Sequence, residues 1–300
     1  MSVPRQVLPG SRYLITRRCT QRQFWLRPCR QTNEVVAFCM AWAAELTGVQ
    51  LHAICVMSNH LHAVVTDPDG QLPEFMRIAH VYIAKCINAS YGRWENLWAS
   101  EAPSAVRLED DHDVLDKVSY CLANPVLAGL VRHGREWPGL RSSPRDLAGT
   151  SRVVRRPAVF FRAGDTVPDR VRLRFVRPGI YAELSDAQLA ERAQRAVHAR
   201  ERDARRDHTQ AGRSMLGVQG VLTQRPSDSP RIPAPHRGIA PRVAAKNKWY
   251  RLEAFRRLRS FLDAYRSAYD LFRSGLYDVI FPLGTYAMRR RHAVLIADTA

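Results

Sequence analysis

The sequence lacks any apolar run long enough to cross a membrane. Its longest uninterrupted apolar stretch covers residues 35–44, about half of the roughly 20 residues that a membrane-spanning helix needs. The first residues, 1–5, also lack the apolar core of a signal peptide. We therefore expect a cytoplasmic protein with no membrane partner.

The sequence also lacks paired cysteine motifs. All six cysteines lie in the first 121 residues, and no two of them have the CxxC spacing of a zinc knuckle. Several lie within apolar periodic segments, as buried free thiols do. This usage predicts reduced thiols, with neither a disulfide framework nor a cysteine-ligated zinc ion. The six are Cys19, Cys29, Cys39, Cys55, Cys86 and Cys121.

Acidic residues are too few to balance the basic residues of the second half. Residues 1–150 hold 16 basic and 14 acidic side chains, whereas residues 151–300 hold 30 and 14, so the net charges are +2 and +16. A nearly neutral half joined to a strongly basic one favours a polyanionic partner, and nucleic acid is the first candidate. An anionic membrane surface is the weaker alternative. A solvated basic face without a partner also stays open.

The first half alternates strand and helix patterns. Strands are predicted at about residues 13–16, 50–57, 60–66 and 104–108, and helices at about residues 32–46, 72–89 and 113–123. The order β-α-β-β-α-β followed by a helix predicts an α+β fold, a ferredoxin-like antiparallel sheet with helices. The third helix is predicted to end at Asn124-Pro125, because proline cannot continue a helix.

The composition of the sequence changes after about residue 146. We predict a catalytic domain over residues 1–146 and an arginine-rich, largely helical extension over residues 147–300. A capping box from Ser185 to Gln188 begins one helix, and prolines predict a linker at about residues 223–242. A stripe of apolar residues from Trp249 to Phe272 predicts a long amphipathic helix whose stripe is core.

A histidine pair is the first candidate for chemistry. His60 and His62 flank Leu61 on a predicted strand, and alternate side chains of a strand point to the same face. Both imidazoles could therefore reach one divalent metal ion. Two histidines at this spacing also occur as ordinary sheet residues.

A tyrosine and an asparagine on the third helix are the second candidate. Tyr120 and Asn124 are four residues apart, so they share one helix face. A phenol is a weak nucleophile that a metal-polarised, positively charged site would activate to attack phosphorus. Asn124 could supply an amide oxygen as a third metal ligand. Taken singly, a packing tyrosine and a helix-terminal asparagine are the simpler interpretations.

Together these motifs resemble single-tyrosine HUH nucleases, in particular the IS200-like and REP-associated tyrosine transposases. The resemblance depends on residues 55–62, which end in histidine–leucine–histidine, and on residues 120–131, which begin with Tyr120-x-x-x-Asn124-Pro125. It covers roughly residues 8–146. Ala99-Ser100-Glu101 stands where the family usually has an arginine, so one DNA-backbone contact has no obvious counterpart.

The resemblance implies a metal-dependent DNA transposase or endonuclease, associated with the nucleoid of a bacterial cytoplasm. Tyr120 would attack a phosphate of single-stranded or hairpin DNA, form a 5′-phosphotyrosine link and free a 3′-hydroxyl that can later rejoin the strands. His60, His62 and Asn124 would bind Mg²⁺ or Mn²⁺. Members of the family work as monomers or homodimers.

Basic residues of both halves are candidates for DNA contacts, including contacts with duplex that flanks the cleaved strand. They are Arg12, Arg17, Arg18, Arg93, Arg192, Arg195, Arg202, Arg205, Arg206, Arg242, Lys246 and Lys248.

Two other functions remain as alternatives. One is a domesticated nucleic-acid-binding protein of the same fold whose catalysis has lapsed. The other is a metal phosphoesterase in which water, rather than Tyr120, attacks.

Overall fold

Four antiparallel strands form the centre of the molecule. The structure, a computed structural model, describes residues 4–162, 164–231 and 241–298. Strands β1 (Ser11–Arg18), β2 (Gln50–Met57), β3 (His60–Asp67) and β4 (Ser104–Leu108) lie side by side in the order β4-β1-β3-β2. This order, with one helix after β1 and one after β3, is the ferredoxin-like arrangement. The predicted α+β fold is confirmed.

Helices α1 (Arg30–Thr47) and α2 (Leu72–Ser90) cover one face of this sheet. The side chains of β3 alternate, and they show which residues lie on each face of the sheet. Leu61, Ala63 and Val65 pack beneath α1 and α2, whereas Val64 packs on the opposite face. Since successive side chains of a strand alternate, His60 and His62 lie on the same face as Val64.

Helix α3 (Asp111–Leu127) packs on that opposite face. The prediction that the helix ends at Asn124-Pro125 is wrong, because Pro125 lies within its last turn. The helix stops at Gly129, which has a φ of 69°. The N–H groups of Gly129 and Leu130 donate to the carbonyls of Val126 and Pro125, which is the Schellman arrangement.

The second half of the chain adds strands to both edges of the sheet. Strands β5 (Thr150–Arg155) and β6 (Arg170–Phe175) follow β2, and β7 (Val243–Ala244) follows β4. Helix α4 (Asp186–Gln210) starts at the predicted capping box and buries one stripe against α3. A short helix, α5 (Gly217–Leu222), comes next. Residues 232–240 of the predicted proline-rich linker lie outside the described residues, and the division at residue 146 stays a prediction.

The last part contains the long helix α6 (Lys248–Arg273), followed by β8 (Ile280–Phe281), α7 (Ala287–His292) and β9 (Leu295–Ile296). The prediction that the apolar stripe of α6 is core is wrong for its first half. Trp249 and Phe255 are 73% and 48% exposed, whereas Ala254, Phe261 and Ala268 are buried. Periodicity shows which residues share a helix face, but it does not show which other element covers that face.

None of the helices among the described residues is both long enough and apolar enough to span a membrane.

Candidate active site

The two histidines lie side by side at the start of β3, just after the turn that joins it to β2. The ring centroids of His60 and His62 are 4.7 Å apart, and the rings are nearly perpendicular. Leu61 between them is fully buried on the other face of the sheet. The strand therefore presents two imidazoles to α3.

Each ring is oriented by a hydrogen bond at its Nδ1 atom. His60 Nδ1 lies 2.7 Å from the Asn59 Oδ1, and His62 Nδ1 lies 2.8 Å from the Thr16 Oγ1 on β1. The Asn59 amide is itself oriented, because its nitrogen donates to the Arg22 carbonyl at 3.0 Å. An amide oxygen only accepts, so His60 donates from Nδ1. Its Nε2 atom is then the unprotonated nitrogen, the one that could bind a ligand.

Both histidines are neutral at pH 7. Burial lowers the pKa of His60 to about 4, although a hydrogen bond with Asn124 acts in the opposite direction. Burial, and then the nearby charge of His60, keeps the pKa of His62 well below its ordinary value. The neutral imidazole is the form that binds metal ions.

Helix α3 brings Tyr120 and Asn124 to the histidines. The ring centroids of Tyr120 and His62 are 5.4 Å apart, and Asn124 is buried beside His60. Tyr120 is half-buried, and its hydroxyl makes no hydrogen bond with any described part of the chain. An accessible phenol thus lies next to the pair of imidazoles.

Cys121, the residue after Tyr120, fixes the position of α3 on the sheet. The Cys121 thiol lies 3.6 Å from the His62 carbonyl, to which it donates. Asp110 begins the helix by accepting a hydrogen bond from the His112 N–H at 2.9 Å. The position of Tyr120 is therefore set by a buried contact with β3 as well as by both helix ends.

The donor set is mixed, with nitrogen and oxygen atoms, and could hold a divalent metal ion. It consists of two imidazole nitrogens and the side-chain oxygen of Asn124, and imidazole suits transition metals whereas Mg²⁺ prefers oxygen ligands. Across the described ranges, no three histidine, cysteine, aspartate or glutamate side chains form a metal cluster. An ion held by His60, His62 and Asn124 would keep other coordination positions free for a phosphate oxygen.

One turn before Tyr120, a buried carboxylate binds three cations. The Asp116 side chain is 8% exposed, and its oxygens lie 2.5 Å from Arg200, 2.6 Å from Lys246 and 3.0 Å from Lys117. Burial would raise the pKa of Asp116, but the hydrogen bonds from Lys246 and Lys117 and the charge of Arg200 lower it to about 2. Basic residues of the second half thus hold the tyrosine helix.

The predicted DNA-binding residues lie on several separate elements, and several of them make internal contacts. Lys246 binds Asp116, and Arg205 lies 3.9 Å from the buried Glu201. Arg17 donates to the Glu101 carbonyl at 2.5 Å. The guanidinium of Arg93 lies 3.6 Å from the centre of the Trp25 ring. Other members are distributed over separate elements: Arg12 and Arg18 on β1, Arg192, Arg195, Arg202 and Arg206 on α4, Arg242 before β7 and Lys248 at the start of α6.

Sequence reasoning missed the residues that support the site. Thr16 and Asn59 orient the histidines, and Asp116 anchors α3. Thr16 gives no signal by itself, since its role depends on strand β1 pairing with β3 so that Thr16 lies opposite His62. Asp116 could have been noticed only as a carboxylate one helical turn before Tyr120.

Two solved structures are similar to parts of this chain. One is a REP-associated tyrosine transposase bound to a REP hairpin, with 20% identity and a TM-score of 0.41, over 49% of this chain and 86% of that one. The other is a protein of Deinococcus radiodurans R1 classed as a transposase, with 16% identity and a TM-score of 0.30, over 40% of this chain and 95% of that one. No family model and no curated protein matches the sequence.

Proposed function

We propose that the protein cleaves and rejoins single-stranded or hairpin DNA, with Tyr120 as the nucleophile. The observation that carries this proposal is the convergence of Tyr120 with His60, His62 and Asn124 across the contact between α3 and β3. A phenol beside two oriented, neutral imidazoles is an arrangement that suits attack on a metal-bound phosphate.

The proposed reaction is a transesterification. The Tyr120 oxygen forms a bond to phosphorus as the bond from phosphorus to the 3′-oxygen breaks. The phenol loses its proton, and the departing 3′-oxygen gains one. The product is a 5′-phosphotyrosine link. This phosphate ester retains the bond energy that the 3′-hydroxyl needs when it attacks in reverse and rejoins the strand. A divalent ion would polarise a non-bridging oxygen of the phosphate.

The polarity of the link gives a direct test. Full-length protein is incubated with hairpin DNA from the region flanking its gene, in Mn²⁺ or in EDTA, and run on a denaturing protein gel. A 3′-label should move with the protein, whereas a 5′-label should be released on a shortened strand. The adduct should depend on Mn²⁺.

Two variants and one control complete the experiment. Tyr120→Phe should abolish the adduct and the cleavage, and His60→Ala should abolish both as well. Tyr277→Phe removes the hydroxyl of a 69% exposed tyrosine and should change neither. Cleavage that survives Tyr120→Phe without an adduct would identify water as the nucleophile. Hairpin binding without cleavage would identify a catalytically lapsed binding protein.

A further inference from the structure

Strands β5 and β6 carry a row of arginines that the predicted DNA contacts do not include. Arg170, Arg172 and Arg174 occupy alternate positions of β6 and are exposed, whereas Val171, Leu173 and Phe175 between them are buried. The three guanidinium groups therefore share one face of the sheet. Successive members lie about 7 Å apart along the strand.

A fourth arginine extends this row on the neighbouring strand. Arg155 of β5 is the direct cross-strand partner of Arg170. Directly opposed side chains share a face, and like charges in such a pair destabilise the sheet. No carboxylate of the described chain lies within ion-pair distance of these four guanidinium groups, although Glu45 accepts a hydrogen bond from the Arg172 backbone. We call Arg155, Arg170, Arg172 and Arg174 the arginine face.

Open grooves lie at both ends of the arginine face. One, of about 770 Å³, is lined by Arg172, Arg174 and Arg177 together with Glu45. The other, of about 440 Å³, is lined by four arginines and a single carboxylate: Arg155, Arg156, Arg162, Arg170 and Asp169. Each groove has a surplus of positive charge, so the arginine face is basic from one end to the other.

We propose that the arginine face binds the phosphate backbone of double-stranded DNA. The other residues on this face of the hairpin are Ser151 and Val153, so no aromatic side chain stands among the four guanidinium groups. The phenylalanines that line the two grooves, Phe161 and Phe175, pack into the apolar core instead. Proteins that hold single strands rely on aromatic stacking, whereas stacked duplex presents only its phosphates to such a surface. The choice of DNA as the polyanion rests on the proposed function.

The arginine face is separate from the candidate active site. Strand β6 joins β2 where Leu51 pairs with Phe175, and Met57 at the other end of β2 pairs with His60. The six residue steps from Leu51 to Met57 span about 20 Å, which is the length of about six base pairs. Duplex that flanks a bound hairpin by less than this length should not reach the arginine face.

The test compares two double variants that remove the same charge. Arg172→Gln with Arg174→Gln changes the arginine face. Arg259→Gln with Arg273→Gln changes two exposed arginines of α6 that make no ion pair within the described residues. Binding of hairpins with flanking duplexes of 4 or 14 base pairs is measured over a series of salt concentrations.

With the long flank, the arginine-face variant should lose about 1.8 from the slope of log affinity against log salt. At 0.1 M salt its affinity should fall by about 10- to 100-fold. The short flank should show no difference between the variants, and the α6 variant should match the native protein. Lysine at positions 172 and 174 should restore most of the slope.

Equal slopes for both double variants on the long flank would overturn the proposal. An equal loss on single-stranded DNA of the same length would assign the face to single strands instead. A loss confined to vesicles that contain anionic lipid would assign it to a membrane surface. The adduct of Tyr120 is measured on the short hairpin in parallel. If the adduct is absent while the slope change is present, the catalytic proposal is contradicted but the proposal for the arginine face still holds.

Discussion

Replacing Asp116 by asparagine should destabilise the protein in a pH-dependent way. The side chain is buried one turn before Tyr120, where Arg200, Lys246 and Lys117 surround it. Asparagine has nearly the same shape, so the substitution removes the charge without leaving a cavity. Two of the three cations belong to the second half of the chain, so the substitution weakens the attachment of that half to α3.

The magnitude follows from the pKa of the carboxyl group. Burial opposes ionisation, but the hydrogen bonds from Lys246 and Lys117 and the charge of Arg200 lower the pKa of Asp116 from 3.8 to about 2. A difference of about 1.8 units sets an upper limit of about 2.5 kcal/mol of folding free energy, and solvent screening of the partly exposed cations reduces it to about 1–2 kcal/mol. Because the folded pKa is below the unfolded one, this contribution is present above pH 4. It is lost as the pH falls toward 2.

Urea denaturation, followed by tryptophan fluorescence at pH 7, 5, 3.5 and 2.5, measures this contribution. The native protein and Asp116→Asn should differ by about 1–2 kcal/mol at pH 7, and the difference should shrink between pH 4 and pH 2. Asp263→Asn is the control, because Asp263 makes only an exposed ion pair with Arg266 at 3.4 Å. Its effect should stay below about 0.5 kcal/mol.

A double-mutant cycle tests whether Arg200 is part of this interaction. Arg200→Gln and Asp116→Asn together should cost less than the sum of the single changes, with a coupling of about 1 kcal/mol or more. A difference between Asp116→Asn and the native protein that is smaller than 0.5 kcal/mol, or equal at pH 7 and pH 2.5, would refute the reasoning.

Two further predictions concern the end of α3 and the thiols. Gly129→Ala should cost about 1–3 kcal/mol in urea denaturation, because the position has a φ of 69° and a Cβ atom would lie 2.9 Å from the His208 ring; an unchanged midpoint would contradict the turn at Gly129. In the native protein only Cys29 should react quickly with a thiol reagent, since the other five cysteines are buried and burial raises the pKa of Cys55 to about 12. All six should react in denaturant, and several fast thiols in the native protein would contradict the described packing.

The core of the fold was predictable because its signals are local. Strands β2 and β3 are largely apolar runs on either side of a short turn. Helices α1 and α2 carry apolar residues at helical spacing, so the boundaries of all four elements differ from the prediction by only a few residues. Pro125 misled the prediction because proline removes its own N–H from the helix ladder but does not force the helix to end, and only two residues of α3 follow it. Gly129, which adopts a positive φ, sets the end of the helix.

The additions of the second half were not predictable in the same way. Strand β6 is anchored to β2 by a single parallel pair, Leu51 with Phe175, which is separated by more than 120 residues of chain. No periodicity within residues 170–175 indicates that partner. Helix α6 has a clear apolar stripe, but in its first half the face that packs carries Ala254, which is buried, whereas Trp249 on another face remains 73% exposed.

The sequence predicted that Tyr120 acts together with the two histidines, because both belong to recognisable motifs. The residues that hold these side chains in place depend instead on contacts between elements that are distant in sequence. Thr16 reaches His62 because β1 and β3 pair in one register. Arg200 and Lys246 reach Asp116 because α4 and the start of α6 return to α3. A histidine strand and a tyrosine helix can be identified from sequence, but the residues that fix their orientation cannot.

The same contacts determine how the basic half should be tested. A truncation near residue 146 would remove α4, whose Leu189, Ala193 and Val197 pack against α3. It would also leave Asp116 buried without two of its three cations. Weaker DNA binding by the truncated protein could then reflect a displaced tyrosine helix as readily as a lost phosphate contact. Exposed arginines such as Arg172 and Arg174 can be changed without disturbing this interface, so only point variants separate the two causes.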